Sequence, residues 1–209
     1  MRILLGVAFA APLLVPAPPP AGHYAPAAGL SGEDLRAALQ GIIDNHIAIV
    51  YNNLWSAFGL TDRKPNSKVW DMYSDSPTGT PDYEYEFTVD QCGTANSEGD
   101  CFNREHSFPQ SWFNSVAPMN SDLFHLYPTD GWVNEQRNNL AYGEVGSASW
   151  TSSNGSKLGS CNYPGCSGTV FEPIDAYKGD LARSYFYLLT RYRGMEGSWS
   201  SPMMQSGHL

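Results

Sequence analysis

Basic side chains are scarce in this sequence: 12 Lys and Arg stand against 21 Asp and Glu in 209 residues, a formal charge of −9. Such a surface repels polyanions at long range, which excludes a protein that coats nucleic acid through bulk charge. Charged residues make up only 16 % of the chain, whereas hydrophobic residues reach 42 % and aromatics 13 %. A disordered or low-complexity chain is therefore excluded as well, because there is enough apolar material to bury a core. Long apolar runs are also missing. The best stretch, Ile3 to Val15, is broken by Pro12 and falls short of the roughly 20 residues that a membrane-spanning helix needs. There is no internal repeat and no CxxC pair, and the length suits one domain with a leader rather than several domains.

The acidic excess is uneven. Residues 1–100 hold 5 basic and 12 acidic side chains, whereas residues 101–209 hold 7 and 9, so the second half retains the means to present a local basic face. At the N-terminus, Arg2 followed by the apolar Ile3 to Ala11 and then by small and Pro residues resembles a secretory signal peptide. Residues 1–28 are accordingly read as signal peptide and Ala/Pro-rich leader, and the protein as secreted or periplasmic. Cys92 and Cys101, then Cys161 and Cys166, form two short-range pairs flanking Gly-containing turns. In an exported protein both are expected to close as disulfides, with a zinc site as the weaker alternative.

Local patterns predict separate helices among irregular β segments, hence an α+β fold. Ser31 with Asp34 makes an S-x-x-[DE] start, and Leu35, Ala38, Leu39, Ile42 and Ile43 recur at helical spacing, predicting a first helix over Gly32 to His46 with a core-facing stripe. Tyr83 to Val89 alternates as a strand does. Thr129 or Asp130 is placed to cap a helix through Trp132 to Asn138, and Asp180 to cap another through Ala182 to Tyr192. The Gly/Ser/Asn-rich stretch Gly143 to Gly168 reads as turns and short strands.

The candidate chemistry starts at Arg104-Glu105-His106-Ser107-Phe108-Pro109. Adjacent Glu105 and His106 point to opposite sides of an extended strand, whereas on a bent or hairpin strand both flank one pocket. Asn134 follows 28 positions after His106 and precedes Arg137 by three, which puts Asn134 and Arg137 on one helix face. Asp122 to Pro128, containing His125, lies between the two groups.

The segments Asn103 to Pro109, Asp122 to Pro128 and Val133 to Asn139, followed by Phe171-Glu172-Pro173 and Lys178 to Arg183, resemble the endonuclease I family of secreted or periplasmic nucleases, from about Gly29 to Arg193. The resemblance implies a ββα-metal (His-Me finger) core, in which a β-hairpin and a helix bracket one divalent ion. It implies His106 as general base, Glu105 and Asn134 as metal ligands, and Arg137 or Arg183 as the phosphate-binding arginine. A neutral imidazole with an ordinary pKa of about 6.5 accepts a proton from water near neutral pH. A carboxylate with an amide oxygen is a hard donor set that suits Mg2+, with Mn2+ or Ca2+ as substitutes in binding. The implied activity is non-specific hydrolysis of DNA, and of RNA as well, through backbone contacts from a cluster of Arg104, Arg137, Lys157, Lys178 and Arg183, by a monomer.

Other readings compete. A secreted two-carboxylate glycosidase accounts for the carboxylates and aromatics, and a non-catalytic nucleic-acid-binding relative accounts for the motifs without turnover. Residue by residue, His125 among Leu123, Phe124 and Leu126 reads as a buried, hydrogen-bonded histidine that orders the site, Glu172 as a turn residue or a brace for an arginine, and Trp112, Trp132 and Trp150 as core. Relatives continue beyond the point where this chain stops, so residues 194–209 read as a truncated tail without structure of its own.

Overall fold

A computed structural model of the chain describes residues 18–202. Most of the expected leader, residues 1–17, lies outside the described residues. Among the described residues the architecture is α+β, with four α-helices, one two-stranded sheet and one three-stranded sheet. The helices are α1 (Gly32–Ile43), α2 (Leu54–Thr61), α3 (Gly131–Arg137) and α4 (Asp175–Arg191).

Strands β1 (Phe102–His106) and β2 (Leu126–Asp130) pair antiparallel, in a register running from Phe102 opposite Asp130 to His106 opposite Leu126. α3 follows β2 without a break because Asp130 ends the strand and caps the helix. Its Oδ1 accepts the Val133 amide proton at 2.8 Å, satisfying one of the open N–H groups of the first turn. Its Oδ2 accepts from the Tyr85 hydroxyl at 2.6 Å and the Gly99 amide at 2.9 Å, and its own amide donates to Asp71 at 2.8 Å. One buried carboxylate therefore ties the hairpin, the helix and the preceding loops together. Strands β3 (Val145–Thr151), β4 (Lys157–Cys161) and β5 (Thr169–Glu172) form the second sheet in that order, both pairs antiparallel.

Both expected disulfides are present: Cys92–Cys101 closes the loop that leads into β1, and Cys161–Cys166 closes the connection between β4 and β5. Two of the apolar clusters flank the hairpin. Met72, Tyr73, Val133, Leu158, Phe171, Tyr177 and Leu181 join α3, the second sheet and α4. Phe108, Trp112, Phe113, Met119, Leu188, Tyr192 and Trp199 join the segment after β1 to the end of α4 and the chain beyond it.

Four expectations need correction. α1 ends at Ile43, the Ser31 hydroxyl makes no capping bond, and no residue of α1 is fully buried. The helix lies on α4, held by Arg36 Nε donating to the Leu189 carbonyl at 2.8 Å, so its stripe is a side contact and not core. Tyr83 to Val89 keeps the burial alternation, with Tyr85 buried between exposed Glu84 and Glu86, but it joins no ladder and is not a strand. α4 starts at Asp175, five residues before the proposed cap, and Asp180 instead pairs with Arg183 within the helix. Gly179 costs a helix about 1 kcal/mol, but buried Tyr177 and Leu181 sit one turn apart on the same face and carry the helix through it. The stretch after α4 is ordered as far as it is described. Glu196–Ser198 forms a 3-10 turn, Trp199 is buried with its ring 5.0 Å from that of Phe108, and the Ser200 amide donates to the Trp112 carbonyl at 2.8 Å. Residues 203–209 lie outside the described residues.

Candidate active site

β1 sorts its side chains by strand alternation. Arg104 and His106 stand on one face and Glu105 on the other, as their contacts show: the first two meet Tyr51, the third meets Arg137, Tyr73 and Tyr142. All three nevertheless line one pocket of about 510 Å³ beside α3, together with Asn134, Glu135, Arg137, Asn138 and Asn139. The structure thus brings Glu105, His106, Asn134 and Arg137 together.

His106 is 5 % exposed, and its Nε2 lies 3.0 Å from the Asn120 carbonyl oxygen. A carbonyl only accepts, so Nε2 carries the proton and Nδ1 keeps its lone pair. Burial, reinforced by the neighbouring His125 ring with centroids 5.6 Å apart, pushes the imidazole down to about 3, which keeps it neutral. His125 is fully buried and donates through Nε2 to the Met119 carbonyl at 2.7 Å. The two histidines therefore hold successive carbonyls of the 3-10 turn Met119–Ser121. This agrees with the reading of His125 as a buried, hydrogen-bonded residue.

Glu105 is almost completely enclosed. Its Oε1 accepts from Arg137 Nη1 at 2.8 Å, from the Tyr73 hydroxyl at 2.7 Å and from the Tyr142 hydroxyl at 3.3 Å; none of these bonds uses Oε2. Burial raises the carboxyl above its ordinary range, and the Arg137 charge pulls the other way. Asn134 donates through Nδ2 to Asn103 Oδ1 at 2.6 Å, and its own Oδ1 accepts no hydrogen bond among the described residues. A carboxylate and an unengaged amide oxygen in one polar pocket fit a hard divalent cation. Among the described residues no group of three or more His, Cys, Asp or Glu side chains is placed to hold a metal.

Arg137 departs from the sequence expectation. It is fully buried, and its guanidinium donates to the carbonyls of Leu140, His106 and Ser107 at 3.0, 2.9 and 2.6 Å as well as to Glu105. With its donors committed to the chain's own acceptors, it braces Glu105 and the end of β1 and is not presented to a phosphate. Arg183 lies on the exposed side of α4, paired with Asp180. The expected basic cluster does not form as one free surface, because Lys178 is neutralised by Glu172 and Asp175, and Glu172 braces that lysine where an arginine was anticipated.

Sequence reasoning missed Tyr73 and Tyr142, the two hydroxyls on Glu105, and Asn120, which acts through its backbone and leaves no side-chain signal. It also missed the anchoring of the loop between the strands. Asp122, buried, accepts from the hydroxyls of Tyr187 and Tyr192 at 2.8 Å each, which fastens that loop to α4. The aromatic residues of α4 are the one signal in the sequence that could have pointed to it.

Comparison with known proteins bears on this geometry. The model of the Endonuclease I family matches residues 31–208, beyond the limit of about 193 expected from the motifs. An extracellular ribonuclease of Bacillus amyloliquefaciens is 31 % identical over 184 residues, covering 84 % of this chain and 55 % of that protein. An extracellular ribonuclease of Bacillus subtilis (strain 168) is 30 % identical over 180 residues, with the same coverages. The chain spans about half the length of these curated relatives. No solved structure matches it. These matches give the glycosidase reading no counterpart. Since the family match spans residues 31–208, and with them the hairpin, α3 and the pocket between them, the chain belongs to the endonuclease I family.

Proposed function

We propose that the protein is an exported nuclease that hydrolyses phosphodiester bonds of DNA and RNA, with His106 as general base and one Mg2+ held by Glu105 and Asn134. The single observation that carries this reading is the bond from His106 Nε2–H to the Asn120 carbonyl, in the same pocket as both oxygen ligands. In this reading β1, β2 and α3 are the ββα-metal core.

A water placed between His106 and the scissile phosphate loses its proton to Nδ1, the nitrogen left with a lone pair. The low basicity of the buried ring is countered on binding by the phosphate's negative charge, which favours the imidazolium. When bound, the ion supplies Lewis-acid polarisation of the phosphoryl oxygens and stabilises the departing alkoxide. Glu105 is held in one orientation by Arg137, Tyr73 and Tyr142, and Asn134 is fixed on the facing helix by Asn103, so the two oxygens are presented without further rearrangement. Mn2+ or Ca2+ can replace Mg2+ in binding. The 2′-hydroxyl has no part in this chemistry, and the extracellular ribonuclease relatives support RNA as a substrate beside DNA.

The test is incubation of the purified protein with supercoiled DNA and with RNA, each with Mg2+ and with chelator, alongside His106→Ala. Cleavage of both substrates that stops with chelator and with the variant is expected; unchanged cleavage by His106→Ala refutes the assignment of the base.

A further inference from the structure

We infer that Arg104, mounted on Tyr51 and Trp55, is the side chain that binds a backbone phosphate of the nucleic-acid substrate at this pocket. The inference rests on the nuclease reading above and adds the phosphate contact that Arg137 cannot supply.

Two arginines line the pocket. Arg137 is buried and engaged by Glu105 and three carbonyls, whereas Arg104 is half-buried and forms no ion pair among the described residues. Arg36, Lys64, Lys68, Lys178, Arg183 and Arg193 all meet carboxylates; among the described residues Arg104 shares its lack of an ion pair with Arg63, Lys157 and Arg191, none of which lines this pocket. The Arg104 guanidinium carbon lies 4.1 Å from the Tyr51 ring centroid and 4.5 Å from that of Trp55.

Stacking uses the flat faces of a guanidinium and leaves its in-plane N–H donors, which are the groups that grip a phosphate in bidentate fashion. Among the described residues its one hydrogen bond is a long one, 3.5 Å from Nη1 to the Tyr51 carbonyl. The rings thus replace a carboxylate as the support for the cation, holding it in place without neutralising it.

Position agrees with this role. Arg104 and His106 are two residues apart on the same face of β1, and Tyr51 touches both, with its ring nearly parallel to the imidazole at 17° and 6.1 Å between centroids. A phosphate within reach of His106 therefore passes along the edge of the Arg104 guanidinium.

The experiment measures kcat/KM for a single-stranded oligonucleotide with Mg2+ across a range of salt concentrations, for the unaltered protein, Arg104→Gln, Arg104→Lys and Arg63→Gln. Arg63 is a matched control that stacks on Phe87 at 4.8 Å, away from the pocket. Arg104→Gln is expected to lower kcat/KM by about tenfold, mostly through KM, and to flatten the slope of its logarithm against log[salt] by about 0.7, the value for one phosphate contact on a single strand. Arg104→Lys keeps the slope and loses part of the rate, since it retains charge but not the stacked fork. Arg63→Gln leaves both unchanged. Equal slopes for Arg104→Gln and the unaltered protein, with cleavage intact, overturn the role of Arg104 and leave the nuclease reading standing. No cleavage by the unaltered protein overturns both. Should Arg104→Gln fail to fold, the Lys variant decides: a rate and slope both equal to those of the unaltered protein overturn the stacked, bidentate contact.

Discussion

Replacing Arg137 by Met is the perturbation on which the structure makes its sharpest demand. The substitution keeps an apolar stem of similar length and removes every donor. Glu105, 2 % exposed, is left with a buried charge and no cation, while the carbonyls of His106, Ser107 and Leu140 each lose an N–H partner. Removing one side of a buried pair costs about 3–5 kcal/mol, and each buried acceptor left unsatisfied costs about 1–3 kcal/mol, in sums that are not additive. A loss on the order of 5 kcal/mol is expected, comparable with the whole stability of about 5–15 kcal/mol typical of a domain. Urea unfolding followed by tryptophan fluorescence, with the disulfides intact, reads this as a fall in midpoint of about 2–3 M at unchanged slope. Adding Glu105→Gln removes the uncompensated charge and should recover about 2 kcal/mol of the loss. A destabilisation below about 1 kcal/mol for Arg137→Met, or a double variant no more stable than the single one, refutes the idea that this arginine braces the carboxylate.

Asn134→Ala removes one of the two proposed protein ligands and should raise the Mg2+ concentration needed for half-maximal cleavage by about tenfold or more, while urea unfolding stays nearly unchanged; equal Mg2+ titrations would count against it as a ligand. Replacing Cys92 and Cys101 together by Ser should cost about 2–3 kcal/mol from the loop they close, measured by the same urea unfolding. Burial pushes the Asp71 carboxyl up to about 7, so the folded state binds its proton more tightly than the unfolded chain does. That contribution is fully present below the ordinary value of 3.8 and is lost as pH rises through 7. Stability should therefore drop by about 2–3 kcal/mol between pH 5 and 8, and Asp71→Asn should flatten the drop; identical pH profiles would disprove it.

The sequence was most legible where the cause is local. The Asp130 cap, the paired cysteines nine and five positions apart, and the turns and short strands within Gly143 to Gly168 depend on near neighbours, and each is found. The gathering of Glu105, His106 and Asn134 in one pocket followed from motifs, since spacing alone left the side of the strand open. What was illegible is long-range. Nothing near Arg137 shows that its donors will be claimed by a strand some 30 residues earlier, nor that Tyr187 and Tyr192 will find Asp122 some 65 to 70 residues upstream. Tyr83 to Val89 has the pattern of a strand, but a strand also needs a continuous ladder, and its neighbour here, the segment around Val69, gives it a single backbone bond, from the Val69 amide to the Tyr85 carbonyl at 3.0 Å.

The anchoring of Asp122 by α4 has a consequence for biosynthesis. A nascent chain that has left the ribosome only as far as β5 already contains His106, Glu105 and Asn134. It still lacks Tyr187 and Tyr192, which secure the loop bearing the Asn120 carbonyl, Tyr185, whose hydroxyl bonds the Ser107 carbonyl, and Trp199, which packs on Phe108. The pocket is consequently finished only once α4 and the segment after it have emerged and packed back on the hairpin.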